Sequence, residues 1–222
     1  MTIEEAIRNR HSVRQYDGSP LAEDQVTNLT AEIEKINAAR GLHIQLIQNE
    51  PKAFSGFLAR YGKFTGVQNY IAVAGAKAPD LDERCGYYGE RVVLLAQALG
   101  LNTCWVALTF SKRKARFTLG EGEKLVLVIA LGYGATQGAP HRSKPLSQLT
   151  RCPGGMPDWF RRGAEAAALA PTAVNQQKFL LELTGDRTVR ATALRGGYAR
   201  LDLGIVKYHF EQGAGQENFT WE

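Results

Sequence analysis

Residues 8–18 read "RNRHSVRQYDG". Arginine, serine and arginine stand at every second position, at 10, 12 and 14. In an extended strand successive side chains face opposite ways. The spacing therefore predicts Arg10, Ser12 and Arg14 on one face and His11, Val13 and Gln15 on the other. Two guanidinium forks and a hydroxyl, with no acid among them, suit an oxyanion, and a phosphate best of all. The same pattern also reads as a solvated basic edge strand that discourages pairing.

Working outward, Ile3, Ala6 and Ile7 space a short helix before this stretch, and "DGSP" turns the chain after it. Val26, Leu29, Ile33 and Ile36 stripe a helix over 23–38 that Gly41 closes. "LHIQLIQ" (42–48) alternates as a strand, "PKAFSGFLARYG" (51–62) reads as one short helix, and "NYIAVAG" (69–75) as a buried strand. "GYYGERVVLLAQAL" (86–99) predicts a core helix stopped by Gly100. Strands follow at 103–109 and 124–134, with the basic run "SKRKARF" (111–117) as a short solvated helix between them. The Gly- and Pro-rich stretch 135–157 is too long for a simple connection and reads as a ligand loop or a wrap-around segment. Beyond it come a helix (158–169), strands (178–185 and 188–196), a helix (198–212) stopped by Gly213, and a tail, "ENFTW", suited to an edge strand.

Helix, strand, strand, helix thus occurs twice, and both closing helices open with a tyrosine, Tyr88 and Tyr198. The repetition suggests an internal duplication, with a first half at 1–150 and a shorter second half at 151–222.

Bulk properties narrow the function. With 222 residues, 44% hydrophobic and 22% charged, the chain is an ordinary globular protein. No apolar run is long enough to span a bilayer, and the charged N-terminus lacks the core of a signal peptide. Cys85, Cys104 and Cys152 are odd in number and widely spaced, without a CxxC pair, so no metal site is expected and the reading is a reduced, cytoplasmic protein. A net charge of +5 raises nucleic acid as a partner. The basic run has no interleaved stacking aromatics, so no nucleic acid is expected, and without a spanning segment no membrane is expected either.

Three further clusters carry chemistry. "APTAVNQQKF" (170–179) sets Thr172, Asn175, Gln176 and Gln177 behind Pro171, amides suited to a heteroaromatic edge or sugar chain, or to a self-satisfied turn. "HRSKPL" (141–146) places Arg142 and Lys144 two apart, as anion ligands or as a solvated pair. "LGLNTCWVALT" (99–109) is a helix–turn–strand in which Cys104 and Trp105 also read as core.

Taken in order, "IRNRHSVRQY", "LLAQALGLNTCWVAL" and "LVIALGYG…HRSKPL" resemble the signatures of the FMN-dependent nitroreductase superfamily, and "APTAVNQQKF" resembles its AP(S/T)xxNxQPW segment. Here Lys178 and Phe179 replace the proline and tryptophan, and the segment lies late in the chain instead of near its start. Common members are homodimers that build each FMN site from both chains. The displaced motif resembles a single-chain branch supplying both parts from one polypeptide.

The resemblance implies an α+β protein with a three-layer α/β/α fold, two pseudo-twofold halves mimicking the family dimer, and one FMN per monomeric chain. It implies phosphate ligation by Arg10, Ser12, Arg142 and Lys144, with Arg14 as helper or ribityl ligand and His11 along the ribityl chain and pyrimidine. Cys104, Trp105, Val106 and Ala107 would run beside the flavin. Pro171, Thr172, Ala173, Asn175 and Gln177 would contact it from the second half. No residue need transfer protons, because the chemistry belongs to the flavin. The absence of GxGxxG after a strand fits NAD(P)H visiting the flavin without a Rossmann site. The implied activity is ping-pong hydride transfer from NAD(P)H to a flat aromatic acceptor, a nitroaromatic or quinone. The alternative is a non-catalytic flavin-binding or sensing module.

Overall fold

The computed structural model describes residues 1–222. In chain order its elements are α1 (Ile3–Asn9), α2 (Glu23–Arg40), β1 (Leu42–Ile47), α3 (Phe57–Tyr61), β2 (Asn69–Ala76), α4 (Leu81–Ala98), β3 (Asn102–Val106) and β4 (Glu123–Gly132). There follow α5 (Leu146–Leu149), β5 (Thr150–Arg151), α6 (Asp158–Ala167), β6 (Phe179–Leu183), β7 (Thr188–Ala193), α7 (Ala199–Ala214) and β8 (Thr220–Trp221). The architecture is α+β. No helix is long and apolar enough to cross a membrane.

The chain forms two compact units. Residues 10–81 and 92–140, with Met1, make the first; residues 2–9, 82–91 and 141–222 make the second. The grouping is discontinuous, whereas the sequence reading cuts the chain once, after residue 150.

The first unit is built on an antiparallel sheet ordered β1-β2-β4-β3. β2 is central and its residues are buried up to Gly75, which is why it reads as an unbroken apolar run. Gly41, left-handed at φ 59°, ends α2 as the sequence predicts. The stretch 51–62 is not one helix: a 3₁₀ turn at Lys52–Phe54 precedes α3, and extended Gly56 breaks them. The buried carboxylate of Glu50 fixes that break by accepting the Lys52 and Ala53 N–H groups at 2.9 and 3.1 Å. Residues 111–117 form a single turn rather than a helix.

The second unit carries a mixed sheet ordered β5-β6-β7-β8, in which only β6 and β7 are antiparallel. The tail is its edge strand, as expected. Gly213 does not stop α7, which runs on to Ala214 and ends at left-handed Gly215. Gly213 instead lets α6 approach, since a Cβ there would stand 2.5 Å from the Arg162 carbonyl oxygen. Gly204 serves the first half of α4 in the same way, 1.9 Å from the Glu83 carbonyl oxygen. Tyr88 lies inside α4, which begins five residues before the predicted start, so the tyrosine correspondence with Tyr198 is lost.

Helix–strand–strand–helix nonetheless recurs as α2-β1-β2-α4 and α6-β6-β7-α7, with the strand pair antiparallel each time.

Candidate functional site

In the first unit, residues 10–16 do not form a strand. They are extended coil carrying isolated bridges from Ser12 to Thr103, Gln15 to Thr65 and Tyr16 to Gly134. Arg10, Val13 and Tyr16 turn inward, one residue in three, while Arg14 is exposed. The predicted shared face of Arg10, Ser12 and Arg14 is therefore replaced by a bend. Val13 and Tyr16 enter the core, and the Tyr16 hydroxyl donates to the carbonyl oxygens of Val13 (2.9 Å) and Ala130 (3.3 Å).

Backbone hydrogen bonds grip this segment. Val13 N–H donates to Thr103 O, Tyr16 N–H to Thr65 O, and Thr65 N–H returns to Arg14 O. On the other flank Ala135 N–H donates to Gln15 O, and His11 Nδ1–H to Gln137 O at 3.1 Å. Glycines make the approach possible. A Cβ on Gly66 would lie 2.0 Å from Tyr16 O, and one on Gly138 2.9 Å from Ser12 O.

Next to the bend sits β3. Cys104 and Val106 turn into the core, while Trp105 and Ala107 are half-buried. Burial pushes the Cys104 thiol above its ordinary pKa; the charges of Arg14 and Arg10 and a hydrogen bond from Ser12 pull it back. Both arginines thus act on that thiol by charge, and the Ser12 hydroxyl by a hydrogen bond. Arg10 itself is only 3% exposed. The adjacent Thr103 Oγ1 is buried without a hydrogen-bond partner, an orphan that would ordinarily cost stability.

In the second unit the structure brings "HRSKPL" and "APTAVNQQKF" together. Lys144 N–H donates to Gln177 Oε1 at 2.7 Å, and Lys144 Nζ donates to the Gln176 and Gln177 carbonyl oxygens at 2.8 and 3.2 Å. The Asn175 and Gln177 amides both donate to Arg142 O, at 2.9 and 3.0 Å. Thr172 Oγ1 accepts the Gln177 N–H at 3.0 Å. Much of the amide chemistry expected to face a ligand thus shapes the loop itself. Pro171 and Gln177 are buried, Thr172, Ala173 and Lys144 half-buried, and Arg142 and Asn175 exposed.

The loop is strained. Val174, Asn175 and Gln177 adopt positive φ values of 47°, 54° and 47°. Such residues cost on the order of 1–3 kcal/mol each and persist only where surroundings over-determine them. The over-determining group is Asp202 of α7, which sequence reading missed. Both its carboxylate oxygens accept the Ala173 N–H (3.0 and 3.2 Å), and Oδ2 accepts Gln176 Nε2 at 2.7 Å. Burial raises its pKa to about 6 against the opposing pull of the Gln176 and Ala173 hydrogen bonds. The available signal was an acid standing in the apolar run "LDLGIV" of a helix.

A family model described as "Putative TM nitroreductase" matches residues 2–214. A solved "putative nitroreductase" from Thermotoga maritima MSB8 is 23% identical, with TM-score 0.68 over 98% of this chain and 85% of that one. A "putative nitroreductase in complex with FMN" from Desulfovibrio desulfuricans is 21% identical, with TM-score 0.52 over 67% and 94%. A "Putative NADH dehydrogenase/NAD(P)H nitroreductase" from Parabacteroides distasonis is 22% identical, with TM-score 0.52 over 66% and 95%. At these identities the solved structures speak for the fold. No curated protein matches the chain. The family model spans nearly all of the chain, and by it the chain belongs to the nitroreductase family.

Proposed function

We propose that this nitroreductase-family member is an FMN-dependent NAD(P)H oxidoreductase. It would turn over by a ping-pong cycle and reduce a flat acceptor such as a nitroaromatic or quinone. The observation that carries the reading is the set of groups around the bend at residues 10–14. A nearly inaccessible arginine, a serine and a second, exposed arginine follow one another at 10, 12 and 14, and Ser12 bridges to Thr103, whose buried hydroxyl is orphaned. That donor set fits a phosphate monoester, whose oxygens accept from guanidinium and hydroxyl alike.

In this reading Arg10 and Ser12 bind the FMN phosphate, with Arg14 assisting there or on the ribityl chain and His11 beside the ribityl chain and pyrimidine. Arg142 and Lys144 add charge for the same phosphate. Thr172, Asn175 and Gln177, on the loop opened by Pro171 and Ala173, contact the ribityl and ring groups. The backbone from Cys104 through Trp105, Val106 and Ala107 runs beside the ring. Bound FMN supplies the two-electron redox chemistry; the chain supplies binding, orientation and fixed charge. One FMN per monomeric chain follows if the repeated helix–strand–strand–helix order reflects a duplication that merged two subunits.

Flavin titration followed by anaerobic mixing with NADH or NADPH tests the proposal. The expected result is one equivalent of FMN bound, bleaching by a nicotinamide, and recovery of colour on adding a quinone or nitroaromatic. Bound flavin that no nicotinamide reduces would instead make the protein a flavin-binding or sensing module. Two equivalents per chain would end the single-site reading.

A further inference from the structure

Two surface stretches of the first unit, residues 51–66 and 107–118, contain no acidic residue. They are sewn into one platform. Ser111 N–H donates to Ala53 O at 2.7 Å, and the Phe54 ring lies 5.2 Å from Phe64 and 6.3 Å from Phe110. A Cβ on Gly62 would stand 2.6 Å from Thr109 Cβ, so the residues flanking those two positions are neighbours. The Tyr70 hydroxyl pins the far end, accepting from Arg116 N–H at 2.6 Å and donating to Arg116 O at 3.1 Å.

With its core so anchored, the platform still leaves large apolar groups in water. Phe57 is 77% exposed, Tyr61 78%, Leu108 70% and Leu58 49%. Phe57 and Tyr61 are four apart on α3 and share a face. Tyr61 adjoins Gly62 and Leu108 adjoins Thr109, which brings the exposed groups of both stretches into one patch. The same two stretches carry Arg60, Lys63, Lys112, Arg113, Lys114 and Arg116, all exposed and none in an ion pair with an acid. These six outnumber the net charge of +5 carried by the whole chain, so the remainder is close to neutral.

Against the expectation of no membrane, which rested on the lack of a spanning segment, we infer that this platform docks the protein on an anionic lipid surface. The phenylalanine, tyrosine and leucine side chains enter the boundary between headgroups and acyl chains, and the cations meet lipid phosphates and carboxylates. Neither half suffices for another partner. A nucleic acid would use the cations and the aromatic faces, but Leu58 and Leu108 offer a base nothing to stack on. A second copy of the chain would bring the same six cations against these. Exposed aromatic and aliphatic groups on stretches rich in lysine and arginine are what an interfacial anchor needs. Each cation near an anionic leaflet adds roughly fivefold to partitioning at moderate salt. The inference stands on this patch alone and is independent of whether the protein binds flavin.

Co-sedimentation of the full chain with phosphatidylcholine vesicles, with and without phosphatidylserine, tests it. Binding is expected to the serine-containing vesicles only. It should fall at least roughly tenfold in Phe57→Ser/Tyr61→Ser, and at least as far in Lys112→Glu/Arg113→Glu. Both pairs are exposed, so thermal melts matching the parent protein are expected and establish that the fold is intact. Failure to sediment with the anionic vesicles overturns the inference. So does binding that the Phe57→Ser/Tyr61→Ser change leaves intact, which would be charge adsorption alone. Preferential capture by duplex DNA or by polyglutamate, with vesicles ignored, would assign the patch to another partner and overturn it equally.

Discussion

The bend at residues 10–16 and the loop at 171–177 hold their shapes by opposite means. The bend is gripped by backbone: N–H and C=O groups of Val13, Arg14, Gln15 and Tyr16 pair with those of Thr65, Thr103 and Ala135. Where the gripping loops press closest on it at positive φ they use glycine, at Gly66 and Gly138, although Lys63 nearby stands at φ 61°. The loop is gripped by side chains, those of Lys144, Asn175, Gln177 and Asp202, and its positive-φ positions are valine, asparagine and glutamine. The lesson is that the shape of the bend rests on backbone, so an exposed side chain such as that of Arg14 can be truncated without loss of shape. Side chains on the loop are committed to shape first. Truncating side chains should therefore separate the two, with function lost alone on the bend and fold disturbed where the gripping side chains of the loop are cut.

The largest effect should come from attacking the backbone grip itself. Gly66→Ala asks for a Cβ 2.0 Å from the Tyr16 carbonyl oxygen at φ +69°. The conformation alone costs an alanine about 1–2 kcal/mol, and the collision must move the bend. A loss of roughly 2–4 kcal/mol in urea unfolding is expected, accompanied by loss of FMN binding. A variant as stable as the parent would show that the grip is not what sets the bend.

Asp202→Asn tests the side-chain grip through pH. Burial raises the Asp202 pKa from 3.8 to about 6, so the folded protein favours the protonated form. The contribution is fully present below the unfolded value near 4 and is lost as pH rises through about 6. The parent should thus gain stability relative to the asparagine variant on acidification from pH 6 to 4, by at most about 3 kcal/mol. A difference that stays flat across that window would refute the assignment.

Arg14→Ala should do the reverse of both. Arg14 is exposed and its backbone bonds survive truncation, so stability should change by no more than about 0.5 kcal/mol. FMN affinity should still fall by about 1.5–3 kcal/mol, the scale for hydrogen bonds to a charged group. Isothermal titration beside a thermal melt separates the two quantities.

Local patterns were legible from the sequence, and long-range ones were not. The α2 stripe with its Gly41 cap, the buried β2 run and the β6–β7 hairpin all follow from periodicity and turn chemistry within a dozen residues. The stretch 10–16 misleads because its partners are Thr65, Thr103 and Gly134, and pairing with three distant segments overrides the local alternation. The polar clusters at 141–146 and 170–179 are each visible as clusters. Their union depends on hydrogen bonds spanning more than 30 residues. Gly213 reads as a helix stop because glycine usually is one; only the presence of α6 explains its place inside α7.

The smallest expected effect is the most informative about why the two regions differ. Val174 is 98% exposed, so its side chain buries nothing in the chain, and its φ of 47° is one that a β-branched residue resists. Glycine adopts that conformation freely at some cost in unfolded-state entropy, and Val174→Gly should raise stability by about 0.5–1 kcal/mol. If the closest contacts on the bend use glycine at positive φ and the loop does not, the valine is kept for something other than folding. The variant should accordingly bind FMN or acceptor more weakly while melting higher. A gain in stability with unchanged binding would mean that the strain is idle, and that shape, not the exposed isopropyl group, is all the loop provides.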